Sequence, residues 1–430
     1  MTLPKSLMVL LAGRQAGVVE RDSKGRLTFT YDETWRSARD AIPLSLSMPL
    51  TAGRHEHRRI EPFLWGLLPD NEHILSRWGQ RFQVSPRNVF ALVAHTGEDL
   101  PGAVQLVRPE RIHTLDEGRV EWLTDEEVGE RLRLLKVDPS AGRIDADEGQ
   151  FSLAEAQPKT ALIHIDGRWG VPSGRIPTTH ILKPPTGTFD GHAEKEHFCL
   201  SLLREFSVAT ALTEVRQFDR EVAIVVERYD RHPVAGRRRT SDRFVRLHQE
   251  DLCQATGISP TLKYQDQGGP GPRQVVELLR SASSKPDEDI ATFVDALIFN
   301  WLIAGTDAHA KNYSLLIAPG GAVRLAPLYD VASALPYPEL NAEKLKLAMK
   351  VGDKYRLRHI GPREWDSLAR SLSLEPEQVA QRIRDITQRM PTAIRDVKAQ
   401  VKAAGLRHRL IDTLAEVLTE RAESCGRLFG

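Results

Sequence analysis

Asp307-Ala308-His309-Ala310-Lys311-Asn312 is the densest cluster of chemically able side chains in the chain. It follows directly on Ile290, Phe293, Val294, Leu297, Ile298, Trp301 and Leu302, which keep an i, i+3, i+4, i+7 rhythm. That rhythm predicts a buried helix ended by Gly305. The hexapeptide is therefore expected on a loop anchored by a rigid apolar stem. Beyond it, residues 314–317 read as a strand, Pro319-Gly320-Gly321 as a turn and residues 322–326 as a second strand, and then comes Leu328-Tyr329-Asp330.

Helix, acidic loop, small hairpin and second aspartate is the order used by protein kinases. In that order an Asp takes the hydroxyl proton, an Asn five residues on binds magnesium, and an Asp beyond a hairpin also binds metal. Asp307 and Asn312 have the five-residue spacing, and Asp330 stands beyond the hairpin. Phosphoryl transfer needs such a set because charge on the γ-phosphate must be neutralised while the nucleophile is held in line. Taken alone, the hexapeptide also reads as a polar loop whose Asp and Asn cap turns. His309 is expected to order the loop.

Upstream, Lys183 ends a strand over residues 179–182, where a lysine would hold nucleotide phosphates. A strand-terminal lysine taken alone is more often a solvated edge residue, and its value here comes from lying upstream of the acidic loop. Glu196 is a candidate ion-pair partner for it, with Glu194 and Glu205 competing. Glu227-Arg228-Tyr229-Asp230 follows the apolar run 222–226. It suits a hinge between lobes, with backbone groups reading adenine and a carboxylate reading ribose, or else a strand end with a solvated Arg–Asp pair.

At 430 residues the chain exceeds one ordinary hydrophobic core, so two or three units are expected. Hydrophobic residues at 41% and charged residues at 27% exclude wholesale disorder. Fifty-nine Lys and Arg against 58 Asp and Glu leave a formal charge of +1, which argues against nucleic-acid binding by bulk electrostatics. Arg54 to Arg59 and Arg237-Arg238-Arg239 read as solvated loops that graze DNA at most within a larger complex. Cys199, Cys253 and Cys425 lie far apart without CxxC spacing, so neither a disulfide scaffold nor a zinc ribbon is expected. The apolar run at residues 7–12 is too short to cross a membrane. It reads as a first strand with residues 27–31 as its partner, and the chain as cytoplasmic.

Along the chain, residues 62–78 read as a helical stretch, 97–102 as a boundary rich in Gly and Pro, and 126–135 as a short helix. Residues 138–150 form an expected loop, and 161–171 a hairpin turning at Asp166-Gly167. A helix is expected at 194–206 and helices almost throughout from Pro376 onward.

Several motifs then resemble one family, the HipA toxin kinases. Phe151-Ser152-Leu153-Ala154-Glu155-Ala156-Gln157-Pro158-Lys159-Thr160-Ala161 is similar to its phosphate-binding loop. The stretches 179–183, 226–231, 248–255 and 300–314 resemble its kinase motifs, and 44–50, 63–70 and 97–106 its N-terminal domain. The resemblance implies an α+β, two-lobed protein-kinase-like fold. It would comprise an additional N-terminal domain at 1–108, a mixed α/β N-lobe region at 109–231 and a mainly helical C-lobe at 232–430. It implies an ATP- and Mg2+-dependent serine/threonine kinase acting as the toxin of a type II toxin–antitoxin pair. Asp307 would be the catalytic base, and Asn312 and Asp330 the magnesium ligands. Lys183 would touch the phosphates, Ser152, Ala154, Ala156, Gln157, Lys159 and Thr160 would line the phosphate loop, and His309 and Lys311 would complete the nucleotide end. Glu227, Arg228 and Tyr229 would border adenine, with Asp230 near the ribose. Ser152 matches the position of autophosphorylation, where about two added negative charges would expel the loop from an anionic site. The implied partners are a small helix-turn-helix antitoxin like HipB, DNA only through that complex, and an aminoacyl-tRNA synthetase as target.

Glu155 departs from the glycine common at this point of the family, and Pro158 removes one N–H donor. The loop is then expected to work through Gln157, Lys159 and Thr160. The same departure motivates a different reading, a kinase-like co-repressor that grips an antitoxin without catalysis. A metal hydrolase built on Asp307 and His309 is disfavoured, because one Asp-x-His pair supplies only two ligands.

Overall fold

The computed structural model describes residues 4–115, 117–141, 157–185, 190–237, 240, 243–337 and 339–430. They form two compact units, Met1–Pro184 with Arg216–Thr261 and Ser314–Val323, and Pro185–Val215 with Leu262–Tyr313 and Arg324–Gly430. Among the described residues no helix is long and apolar enough to cross a membrane.

The first unit opens with β1 (Ser6–Leu11), β2 (Arg14–Arg21), β3 (Leu27–Tyr31), β4 (Arg54–Glu56) and β5 (Val104–Val107), in a sheet ordered β4-β3-β2-β1-β5. Leu7, Val9 and Leu11 alternate inward with Val19, Leu27 and Phe29, all buried. The expected partner of the first strand is corrected here, because β1 pairs with β2, and β3 with β2. Gly17 is what lets β2 lie so close. A Cβ there would come within 2.3 Å of the Thr30 carbonyl oxygen and 2.7 Å of the Phe29 ring. The expected helical stretch at 62–78 is two helices, His57–Gly66 and Glu72–Phe82. Asn71 starts the second, its side chain accepting from the His73 and Ile74 amides.

The same unit contains β6 (Val120–Leu123), β7 (Thr160–Ile165), β8 (Arg168–Pro172), β9 (His180–Lys183), β10 (Thr213–Phe218) and β11 (Glu221–Glu227), ordered β10-β11-β9-β7-β8-β6. To this unit β10 contributes its Arg216–Phe218 half. The β7–β8 hairpin turns at Asp166 (φ 50°) and Gly167 (φ 77°), as the Asp-Gly pair predicts. Helix Asp125–Val137, opened by a Thr124–Glu127 capping box, packs Val128, Leu132 and Leu135 onto Leu162, Trp169, Leu182 and Val225 of the sheet. Then follow β12 (Arg231–Pro233), β13 (Phe244–Arg246), β14 (His248–Asp251) and β15 (Ser314–Ala318), with β12 pairing to β13 and β14 to β15.

The boundary candidate 97–102 is tied closely to residues further along the chain. Asp99 accepts from Thr178, Arg231 (2.9 Å) and Arg246 (3.1 Å), Leu100 from Arg228 and Arg231, and the Gly102 amide donates to Asp230 at 2.7 Å. These polar residues form a buried joint. Burial alone would raise the Asp99 carboxyl, but three guanidiniums outweigh it and hold it far below the usual carboxylate range.

The second unit is mainly helical, with helices His192–Arg204, Pro272–Ala282, Pro286–Ile303, Pro362–Ser371, Pro376–Ala403 and Leu410–Gly426. Phe293, Phe299, Trp301, Ile383, Ile386, Met390, Leu414 and Leu418 are buried in it. The last hundred residues also brace the central helix, since Arg421 donates to the Trp301 carbonyl at 2.8 Å, one of the orphan acceptors of that helix end.

Candidate active site

Helix Pro286–Ile303 is buried along most of its length and fixes the start of the acidic loop 307–312. It ends one residue earlier than predicted. Ala304 takes the left-handed C-cap at φ 54°, and Gly305 is required for contact, since a Cβ there would lie 2.2 Å from Asn300 Oδ1. Asn300 Nδ2 in turn donates to the Tyr313 hydroxyl at 3.1 Å, tying the stem to the far end of the loop.

Between them the loop is closed by its own polar groups. The His309 amide donates to the Asp307 carbonyl (2.8 Å), the Asn312 amide to the His309 carbonyl (2.9 Å), and Asn312 Nδ2 to the Asp307 carbonyl (2.8 Å). Outside bonds hold it from two sides. The Ala310 amide donates to the Lys263 carbonyl (3.2 Å), and the Tyr329 hydroxyl to the Lys311 carbonyl (2.6 Å). Asp307 itself is exposed, with one carboxylate oxygen accepting the Tyr264 hydroxyl at 2.5 Å. The Tyr264 ring also meets the buried His309 ring edge-on at 5.0 Å. His309 thus orders the loop from within the protein.

Asp330 reaches the same place by a separate route. Asp289, buried near the N-terminus of the stem helix, accepts from Arg324 Nε (3.0 Å) and Nη2 (2.9 Å) and from the Leu325 amide (2.9 Å). The Ala334 amide donates to the Ala304 carbonyl at 3.1 Å. The segment carrying Asp330 is therefore pinned at both ends to the helix that launches Asp307. A cavity of about 250 Å³ is lined by Asp307 and Asp330 together, with Asn300, Lys195 and Tyr337. Asp330 holds a left-handed backbone (φ 55°), which aspartate tolerates better than most side chains.

The Asn312 side chain is 4% exposed. Its Oδ1 has no hydrogen-bond partner among the described residues. A buried amide oxygen is seldom left so. Oxygen donors of this kind, an amide together with carboxylates such as Asp307 and Asp330, are what a hard divalent cation takes, so the residue types present fit magnesium. Among the described residues no group of three His, Cys, Asp and Glu gathers as a transition-metal site would require.

Lys195 was not foreseen. It is buried in helix His192–Arg204, lies over the Tyr337 ring at 4.5 Å and lines the cavity. Burial pushes its ammonium below the ordinary lysine value, while Glu196 and Asp330 pull it back up. Tyr264 was missed too, since it stands 43 residues from Asp307 and no local pattern links them.

The first unit carries the remaining predicted residues. Lys183 is buried at the end of β9, opposite Ile224 of β11. Thr160 of β7 pairs with Leu182, so the register sets Lys159 beside Lys183 at one end of the sheet. Glu227, exposed, lies opposite His180 at the other end of β9, and Tyr229 bonds through its hydroxyl to Gln249. Lys183 belongs to the first unit and Glu194, Glu196 and Glu205 to the second. Arg228 and Asp230 correct an expectation. The Asp230 carboxylate is enclosed by Arg228 (2.8 Å), Arg231 (2.9 Å) and the Gly102 amide, with its side chain 4% exposed. A carboxylate so committed is a structural ion-pair partner and not a ribose acceptor. Gln157 is described and half-buried, whereas Ser152, Ala154, Glu155 and Ala156 lie outside the described residues.

Residues 151–394 match the family model described as HipA-like C-terminal domain, and residues 7–107 the model described as HipA N-terminal domain. A protein of Sinorhizobium fredii named "Putative kinase Y4mE" is 35% identical over 415 residues, covering 96% of each chain. The "Serine/threonine-protein kinase toxin HipA" of Shewanella oneidensis is 29% identical over 386 residues, 85% of this chain and 83% of that one. A solved HipA, from a Shewanella oneidensis complex of HipA, HipB and operator DNA, superposes with a TM-score of 0.83 over 98% of both chains at 24% identity, so the α+β kinase-like fold is shared. The chain belongs to the HipA family.

Proposed function

We propose that the protein is an ATP-dependent serine/threonine kinase, the toxin of a HipBA-like toxin–antitoxin pair restrained by a helix-turn-helix antitoxin. The observation that supports this best is the opening of Asp307 and Asp330 into one cavity, while Asn312, tied through its Nδ2 to the Asp307 carbonyl, keeps an Oδ1 that no described residue satisfies. Asp307 has one oxygen held by Tyr264; the other is left to accept the proton of a substrate hydroxyl. As the hydroxyl oxygen bonds to the γ-phosphorus, the bond from that phosphorus to the ADP oxygen breaks and the proton passes to Asp307. Asn312 Oδ1 and the Asp330 carboxylate would hold Mg2+, which when bound neutralises charge on the transferring phosphoryl group. Lys183, with Lys159 beside it, would bind the phosphates as fixed cations. Ser152 is the proposed autophosphorylation site, and an aminoacyl-tRNA synthetase the proposed target class, by likeness to the family.

The test is phosphate transfer from labelled ATP, with magnesium and a check of the starting protein's mass for prior phosphorylation. Asp307→Ala should lower incorporation by about 10²–10⁴-fold, the usual weight of a positioned general base. Calorimetry with ATP, with and without magnesium, gives a second readout, in which Asp330→Asn should remove the metal-dependent part of binding. Incorporation by Asp307→Ala at the wild-type rate would refute the assignment. Failure of unphosphorylated protein to bind nucleotide would favour the co-repressor instead.

A further inference from the structure

The first unit contains a second cavity, of about 680 Å³, with no part in the reading above. Three cations line it, Arg175, Arg237 and Arg246, and no carboxylate does so among its described lining residues. Leu10, Leu115 and Phe244 supply apolar wall. Arg175 and Arg237 are exposed, whereas the Arg246 side chain is only 9% exposed and rooted in the buried joint.

That joint is charge-imbalanced. It holds the guanidiniums of Arg228, Arg231 and Arg246 against the carboxylates of Asp99 and Asp230, a sum of three positive and two negative charges. Asp230 serves Arg228 and Arg231. Asp99 is shared among all three, so Arg246 receives a fraction of one carboxylate (3.1 Å) and the Arg175 carbonyl (3.0 Å). Arg246 Nε has no hydrogen-bond partner among the described residues. Burial pushes both Arg246 and Arg231 below the ordinary arginine range, Arg231 to about 10, which is the mark of cations short of counter-charge. Of the three, Arg246 is the one that borders the cavity.

The geometry points to an anion site in this cavity, taking a small molecule with a phosphomonoester and an apolar or ring portion, of nucleoside-monophosphate size. The phosphate pairs with Arg246, Arg175 and Arg237 and supplies the counter-charge that the joint lacks, in the fork geometry guanidinium offers to phosphate. The organic portion lies on Leu10, Leu115 and Phe244. The volume is that of small-molecule sites, roughly 300–1,000 Å³. Three convergent cations on a nearly neutral chain suit a compact ligand and not a polymer backbone.

Calorimetry on the full chain tests this with inorganic phosphate, uridine monophosphate and uridine as probes. Phosphate should bind saturably, uridine monophosphate more tightly, and uridine not measurably. The double variant Arg175→Gln, Arg237→Glu changes exposed positions and should keep the wild-type circular dichroism. It should weaken both phosphate-bearing probes by about ten- to a hundredfold, as loss of a charge-assisted hydrogen bond implies. Asp330→Asn, in the other unit, should leave them unchanged. No saturable phosphate binding in the wild type would overturn the site. So would loss that follows Asp330→Asn and not the arginine pair, which would assign the anion to the kinase cavity. Phosphate binding with no gain for uridine monophosphate would overturn the ligand class.

Discussion

Glu250→Gln should make the protein more stable, and increasingly so as pH rises. Glu250 lies on β14, fully buried; its Oε1 accepts the Leu46 amide at 2.8 Å, and Oε2 has no hydrogen-bond partner among the described residues. Burial pushes its carboxyl from 4.5 up to about 8, with Asp251 adding to the rise and the Leu46 and Ser45 hydrogen bonds opposing it. Below pH 4.5 the folded and unfolded chains both carry this proton, so the group has no effect on stability. Between 4.5 and 8 the folded chain holds a proton that the unfolded chain has released, so stability falls as pH rises. Above 8 the penalty stays constant. At about 1.4 kcal/mol per pH unit the whole window amounts to at most about 5 kcal/mol. Glutamine keeps the acceptor for Leu46 and cannot ionise. The stability difference between variant and wild type should therefore be small near pH 5, grow through neutrality and level off. Urea melts of both full-length proteins at stepped pH, with hydrogen exchange at the Leu46 amide as a local probe, measure it. Parallel stability–pH curves for the two proteins would refute the buried, protonated carboxyl.

Two further outcomes follow from single contacts. Asp99→Asn leaves three buried guanidiniums facing one carboxylate, and thermal melts should show a loss of about 3–5 kcal/mol, the usual result of removing one partner from a buried ion pair; an unchanged melting temperature would mean that the joint is wetter than its burial indicates. Tyr264→Phe removes the hydroxyl that holds Asp307 while keeping the ring on His309, so kcat for phosphate transfer should fall about tenfold with KM for ATP and the melting temperature unchanged.

What the sequence made legible follows the range of the forces involved. The stem helix, the β7–β8 hairpin and β9 were readable because periodicity and Asp-Gly turn chemistry act within a few residues. The five-residue spacing of Asp307 and Asn312 is equally local, so a polar loop behind an apolar stem was legible from the sequence. Pairings set by distant contacts were not readable. β2 escaped notice because Gly17 interrupts its alternation, and the reason for that glycine is Thr30 on the neighbouring strand. Residues 97–102 read only as a stretch dense in Gly and Pro, because the partners of their Asp and Gly lie far off, near residues 178, 230 and 246. Arg228 and Asp230 were misassigned for the same reason, as a motif shows which side chains are present and not which of them a buried network has already engaged. Tyr264 and Lys195 carry no local signature at all.

Among the described residues of the second unit, Ser207, Ala304, Asp330 and Ser373 are the non-glycine positions with left-handed backbone, and two of these four stand at the candidate site. Ala304 and Asp330, two of the non-glycine residues with left-handed backbone, flank the acidic loop and carry the second acid. Each such residue is disfavoured by about 1–2 kcal/mol for an ordinary side chain. They are joined through one short path, since the Ala334 amide, four residues beyond Asp330, bonds to the Ala304 carbonyl. A sequence selected for stability alone would place glycine at 304, and would satisfy the Asn312 oxygen with a protein donor. Here the strained turns are held by Asp289, Arg324 and Tyr329, all engaged in hydrogen bonds, while the Asn312 amide oxygen has no hydrogen-bond partner among the described residues. Rigid surroundings of this kind are what the proposed phosphoryl transfer would draw on, because donors already in place need no reorganisation as charge develops.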